Sequence, residues 1–318
     1  SFPTRRSSDL QDNIRIFFKD KIKFESIIKK SRSFNCTVNS EDIEKESSKI
    51  NIYPIKGQIG SMTYFINENS AYLENSIHKY HNNLTMEKDI NYNDFSYCDL
   101  TQTLDDLRNQ IPEYDFLDTK ITNLEFGFNI KIDRSVKDLI GKNILLHDFK
   151  PHYFFNDKNR FVMKKFKIGN RMLKIYDKGR QNNLPYELLR IELKYNTKQL
   201  NHKKIGIFNF FDLYDPYKNY LLFKDFLEVY EKLIIVDYRF EENLTENEIA
   251  TLGNKLEYTY WKDRTDISDS AKYINKKKFL KYIPDKNLNK NVVYLKNKIL
   301  EKFNLLYKDC DGALPIGL

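Results

Sequence analysis

RMLKIYDKGRQNNLPYELLRIELK, residues 171–194, decides how the rest of the chain is read. Apolar and polar residues alternate through Met172, Leu173, Lys174, Ile175, Tyr176 and Asp177, and again from Leu188 to Lys194. GRQNNLP between them is a turn-rich connection, so the stretch predicts a β-hairpin. Successive side chains of a strand point to opposite faces. Leu189, Ile191, Leu193 and Tyr195 therefore share an apolar face, and Arg190, Glu192 and Lys194 share the other. A carboxylate set between two cations, inside a strongly basic run, is where chemistry is to be sought.

The 318 residues suffice for one large domain or two, with a full core. Phe (23) and Tyr (22) are plentiful while Gly (10) and Pro (8) are scarce, which argues against disorder and low-complexity linkers. The formal net charge of +8 is concentrated in two segments. Residues 150–190 carry eleven Lys and Arg against three acids, and residues 271–308 carry eleven Lys against two, which leaves the remainder acidic. Two basic segments on an acidic chain point to a polyanion, nucleic acid before a membrane surface. The competing reading is a solvated, Lys-rich surface.

Cys36, Cys98 and Cys310 fit neither a zinc spacing nor a disulfide framework, so the expectation is three small hydrophobes in a reducing cytoplasm. No run reaches the length of a membrane span and no secretory pattern opens the chain. Residues 1–10, SFPTRRSSDL, differ in composition from the rest of the chain and read as a translated sequencing-adapter scar.

Working outward from the hairpin, strands are expected over 13–19, 50–55, 60–66, 71–80, 121–133, 160–167 and 233–238. In 121–133, Leu124, Phe126, Phe128, Ile130 and Ile132 form one face, and Glu125, Gly127, Asn129, Lys131 and Asp133 the other. Leu100, Leu104, Leu107 and Ile111 recur at helical spacing, which predicts a helix over 99–110. Further helices are expected over 135–144, 198–203 and 217–232, a loop over 41–49, and only helices from 245 onward, at 245–261, 268–282 and 288–307. The fold class is α+β: a central antiparallel sheet with flanking helices over 11–239, followed by an all-helical basic extension over 240–318.

Three constellations carry chemistry. Glu125 and Glu192 lie on the polar faces of their strands; if these neighbour each other, the carboxylates share one hard divalent cation, with Asp177 or Asp133 as a further ligand. The bland alternative is a surface carboxylate paired with a nearby Lys or Arg. Lys164, Lys165, Lys167, Arg171, Lys174, Arg180 and Arg190, interleaved with aromatics, suit a groove that follows phosphates and stacks bases. Tyr176, flanked by Lys174 and Lys178, is a candidate nucleophile, against the commoner tyrosine half-buried at a sheet edge. Lys276, Lys277, Lys278 and Lys281 form a second cationic set, for duplex DNA or partner machinery. The histidine pairs His78/His81 and His147/His152 lack the spacing of a two-histidine metal site, and no glycine-rich phosphate loop or Gly-x-Ser-x-Gly is present.

Taken in order, SIHKYHN (76–82), NYNDF (91–95), LEFGFNI (124–130), KIYDKG (174–179) and LLRIELK (188–194) give a further lead. Over about 14–238 the chain resembles the replication initiators of rolling-circle plasmids and filamentous phages, in the group that lacks the two-histidine motif, and their relatives in Bacteroidetes. The resemblance implies that an acid of the first central strand and the glutamate of the R-x-E strand bind Mg²⁺ or Mn²⁺; here these are Glu125 and Glu192. It also implies a tyrosine that attacks the phosphodiester, joins one DNA end and frees a 3′-hydroxyl. In the family that tyrosine usually lies on the strand entering the YDK element, where this chain has Phe161, Met163 and Phe166. Tyr176 or Tyr153 then substitutes, or the nucleophile lies elsewhere, or nicking is lost. The implied partners are origin DNA, single- and double-stranded, a host helicase and a second copy of the chain. The alternatives are a non-catalytic DNA-binding protein on the same scaffold and a module that binds RNA or protein.

Overall fold

The computed structural model describes residues 8–9, 11–31, 35–36, 53–156, 162–237, 244–262 and 267–307. Ten strands form one antiparallel sheet: β1 (Gln11–Phe18), β2 (Asn35–Cys36), β3 (Ile55–Ile59), β4 (Met62–Ile66), β5 (Ala71–Ser76), β6 (Thr119–Lys131), β7 (Tyr153–Asn156), β8 (Val162–Ile168), β9 (Arg171–Asp177) and β10 (Leu188–Asn196). Their order is β7-β8-β9-β10-β6-β1-β5-β4-β3-β2. The sheet therefore has two halves of like design. In each, one strand lies at the centre, the chain crosses to the edge, and a meander returns to pair beside that strand. The two central strands, β1 and β6, pair antiparallel with each other.

The sheet buries one face. Ile14, Ile16 and Phe18 of β1, Phe126 and Phe128 of β6, and Ile191 and Leu193 of β10 join a single core with helices α1 (Lys21–Lys30), α2 (Ile77–Met86), α3 (Tyr97–Gln110), α4 (Pro216–Tyr230) and α7 (Lys290–Tyr307). Phe128 meets Phe226 of α4 edge-on at 5.2 Å and Phe303 of α7 at 6.5 Å. The expected α+β class, with a central antiparallel sheet and a helical C-terminal region, is what the structure shows.

Several local expectations shift for physical reasons. The strand expected over 71–80 stops at Ser76, whose hydroxyl accepts from Lys79 N and caps α2. The helix expected over 245–261 is broken at Glu257 into α5 (Glu246–Leu256) and the short turn Tyr258–Lys262. Leu233–Ile235 is a strand of three residues that pairs with Ile144–His147, outside the large sheet. Cys98 is disulfide-bonded, which corrects the expectation of three ordinary thiols. The loop expected over 41–49 and most of 1–10 lie outside the described residues, as does Phe161.

The C-terminal helices pack in two places. Leu252, Leu256, Trp261, Phe279 and Ile283, from α5, the following turn and α6 (Asp269–Asp285), make a satellite cluster with Leu146, Phe149, Ile234 and Val236. Helix α7 returns to the main core, where Phe303 stacks on Phe223 at 3.6 Å and Tyr307 on Tyr97 at 5.1 Å. Both clusters draw residues from either side of position 239.

Phe303→Ala opens a cavity under the centre of the sheet and is expected to cost about 3–5 kcal/mol. Denaturant unfolding followed through the sheet should show one transition moved to lower denaturant. A sheet transition left where it was, with a separate early loss of helix, would show that α7 is an appendage.

Candidate active site

The face of the sheet opposite the core carries Glu125, Tyr176 and Glu192. Across β8, β9, β10 and β6, the register sets Lys165, Lys174, Glu192 and Gly127 in one row, and Met163, Tyr176, Arg190 and Asn129 in the next. Glu125 stands diagonally from Glu192, two residues along β6. Gly127 is required here: a Cβ at this position would lie 2.6 Å from Cα and Cβ of Glu192 and 2.4 Å from the Ile191 carbonyl oxygen.

Strand β1 adds two residues at once. Between Gln11 and Ile14 it advances three residues against two of β6, from Phe126 to Leu124. This β-bulge breaks the alternation. Gln11 bonds Asn219 of α4 on the core side, while the consecutive Asp12 and Asn13 both face the cleft.

Charge is balanced link by link. The Lys174 ammonium donates to Glu125 and Glu192, each at 2.8 Å. Arg190, completely buried, donates to Glu192, to Asp12 at 2.9 Å and to Asn129 at 3.1 Å. Asp12 also accepts from the Ser76 hydroxyl and from Asn91 at 2.9 Å, and Lys178 donates to Asn91 at 2.8 Å. Asn13 donates to Glu125 at 3.0 Å. The Tyr176 hydroxyl donates to Glu192 at 3.2 Å. Lys79, Lys165, Met163, Gln181 and Asn182 complete a cleft of about 370 Å³ above this network.

These contacts set the protonation states. Burial alone would raise the Glu192 carboxyl, but Arg190 and Lys174 outweigh it and hold it down at about 2. Burial would likewise lower the Lys174 ammonium, yet Glu192 and Glu125 hold it above its usual range. Burial, reinforced by Glu192, pushes the Tyr176 phenol well above its ordinary value. At neutral pH the cleft floor is thus a neutral phenol against an ionised carboxylate.

Of the expected site residues, Glu125, Glu192, Tyr176, Lys174, Lys178 and Lys165 come together around the cleft. Others do not. Asp177 pairs with Leu189, so it faces the core side; its carboxylate accepts from Arg180 N and caps the turn Lys178–Gln181. It is set apart from Glu125 and Glu192, as is Asp133 beyond the end of β6. Lys164 pairs with Ile175 and is buried on the core side, bonding the carbonyls of Gly141 and Ile144. Arg171 pairs with Asp225 of α4. Arg190 spends its guanidinium on carboxylates and has no surface to offer a phosphate. Lys167 is exposed on the cleft side of β8, and Arg180 is exposed beside Asp177. Lys276, Lys277, Lys278 and Lys281 lie on α6, with Lys276 over the Phe149 ring and Lys277 over that of Tyr273. His78 stacks on Phe95, and His147 bonds the Val229 carbonyl. The residues that sequence reasoning missed are Asp12, Asn13, Asn91, Asn129 and Lys79. Asp12 had one signal, an acid directly before the alternation of β1.

Among the described residues no three His, Cys, Asp or Glu side chains converge as metal ligands. Glu125 and Glu192 do converge on one cation, the ammonium of Lys174, at a position one-fifth open to solvent. Their oxygens are of the ligand type that Mg²⁺ or Mn²⁺ takes, and the Lys174 ammonium occupies the position between them.

No family model matches the chain, and no curated protein matches it. Solved structures are similar in part. One of them is the rolling circle replication initiator protein from Geobacillus stearothermophilus, similar over 58% of this chain and 73% of that one, at 13% identity and a TM-score of 0.29. A likeness that faint leaves the site to stand on its own geometry. Among the described residues no helix is long and apolar enough to cross a membrane.

Lys164 supplies a test of placement. Burial lowers its ammonium from the ordinary 10.5 to about 8. Between these values the unfolded chain binds the proton and the folded one does not, so folding stability rises with pH in that window. The wild-type chain is expected to gain stability relative to Lys164→Met from pH 8 to 10.5. Denaturation midpoints that stay parallel across the window would place Lys164 at the surface.

Proposed function

We propose that the chain binds single-stranded DNA along the open face of its sheet and breaks one phosphodiester by transfer to tyrosine, as a replication initiator does. The observation that carries this reading is the Tyr176 hydroxyl bonded to Glu192 on the floor of a cleft flanked by Lys165, Lys174 and Lys178. Cations of this kind hold a phosphate, and an aligned phenol beside a carboxylate is the minimum for transesterification. In the step, the phenol oxygen bonds to phosphorus and the bond from phosphorus to the 3′ oxygen breaks. Glu192 orients the phenol, whose proton passes to water as the bond to phosphorus forms, and the leaving oxygen takes a proton from water. The products are a tyrosine-linked 5′ phosphate and a free 3′-hydroxyl.

Mg²⁺ or Mn²⁺ would be held by Glu125 and Glu192, where it would polarise the phosphodiester and offset charge on the leaving oxygen. Lys174 and the ion compete for the same carboxylates, so Lys174→Ala is expected to raise Mn²⁺ affinity at least tenfold in calorimetric titration, and Glu192→Gln to abolish it. Equal affinity in the Lys174→Ala and wild-type chains would remove the ion from this site.

A second tyrosine has its own observation in its favour. Tyr153 is 65% exposed and pairs across the strand with Lys165, on the same face as the cleft. A randomised oligonucleotide pool with Mn²⁺, followed by denaturing electrophoresis, reads covalent protein–DNA adducts. Tyr176→Phe is expected to abolish them, whereas Tyr153→Phe is not; the reverse outcome moves the nucleophile to the sheet edge. Glu192→Gln is expected to lose the adduct while keeping most DNA affinity. Salt-sensitive binding without any adduct would leave a non-catalytic DNA-binding protein, and salt-insensitive binding would favour a protein partner.

A further inference from the structure

The half of the sheet that does not hold the cleft carries an ordered row of its own. Register places Lys120, Phe17, Tyr72, Phe65 and Lys56 side by side across β6, β1, β5, β4 and β3. All three rings stand on the face opposite the core and are only partly buried. Phe65 and Tyr72 stack at 5.0 Å and 21°. The Arg15 guanidinium lies 4.8 Å from the centre of the Tyr72 ring, and the Lys56 ammonium 5.3 Å from that of Phe65. A structural purpose for such a row would put these rings in the core, where Phe18, Tyr64 and Phe24 already are.

This row borders a second groove of about 380 Å³, lined among others by Arg15, Lys56, Phe65 and Lys194. Asn13 and Glu125 line both this groove and the cleft above Tyr176, so the two adjoin. From Asn13 to Phe17 the distance along β1 is about 13 Å. The local charge is cationic on balance, with Lys120, Arg15, Lys56 and Lys194 against Glu74, which pairs with Arg15, and Glu125, which lies 3.9 Å from Lys194. Aromatic rings with cations at both ends of the row match a polymer of flat bases joined by phosphates.

We infer that this row is a stacking platform for the unpaired bases flanking the phosphate held in the cleft, so that single-stranded DNA runs from one half of the sheet to the other. Bases lie against Phe17, Tyr72 and Phe65, and Arg15, Lys56 and Lys194 take the phosphates between them. The inference rests on the proposed function for its choice of DNA, and it assigns the affinity to a part of the sheet that does no chemistry.

The test uses a fluorescein-labelled oligothymidylate of about 12 nucleotides, within the usual site size of such proteins, titrated with the full chain without divalent ions. Phe65→Ala and Tyr72→Ala are each expected to weaken binding roughly tenfold, the loss of one stacked base. Phe65→Trp should restore it. Lys56→Ala should lower the slope of log affinity against log salt by about 0.7. An oligonucleotide carrying 5-iodouridine should cross-link, on irradiation, to a peptide holding Phe65 or Tyr72. Unchanged binding in both alanine variants, with cross-links elsewhere, overturns the inference and leaves the cleft reading intact. Ring-dependent binding by a chain that forms no tyrosine adduct overturns transesterification and leaves the platform standing. No oligonucleotide binding at low salt overturns both.

Discussion

A single guanidinium holds this protein's working face together. Arg190 has no exposed surface, and its nitrogens bond Asp12 of β1, Asn129 of β6 and Glu192 of its own strand. Burying a charge is costly unless paired, and removing one member of a buried pair costs about 3–5 kcal/mol. Arg190 thereby locks together the central strands of both halves of the sheet and the strand that carries Glu192. Its planar fork reaches three partners where an ammonium would present a point charge. The residues facing the cleft are fixed because the layer beneath them is fixed.

Above that floor the site is balanced rather than rigid. Lys174 is the outermost member of the network, with one-fifth of its side chain open to solvent, and it neutralises both glutamates. This arrangement keeps the phenol protonated, by burial and by the charge of Glu192.

The sequence announced the hairpin of residues 171–194 and its facing set correctly because alternation is strict there and β9 pairs with β10 without a break. The same rule put Glu125 on the face of Glu192, since β6 also alternates. It failed where the backbone departs from period two. The bulge in β1 turns Asp12 and Asn13 to the same side, and no alternation pattern reports that. Composition misled in another way. A run of lysines in 164–167 reads as one basic patch, yet a strand sends Lys165 and Lys167 to one side and Lys164 to the other, where it serves two carbonyl oxygens. The halved design of the sheet was invisible because its two meanders share topology and not sequence. The packing of α7 was hidden too: an amphipathic, lysine-rich helix looks the same on paper whether its apolar stripe meets a local neighbour or a sheet strand far back in the chain.

That last helix sets an order of events during synthesis. Phe223, Phe128 and Tyr97 wait for Phe303 and Tyr307 to close the layer over them. A growing chain leaves the ribosome at about 5–20 residues per second, so the sheet emerges several seconds before its cover. For that interval a broad aromatic surface lies open to water and to other nascent chains. That surface is closed only when Phe303 and Tyr307 pack against it.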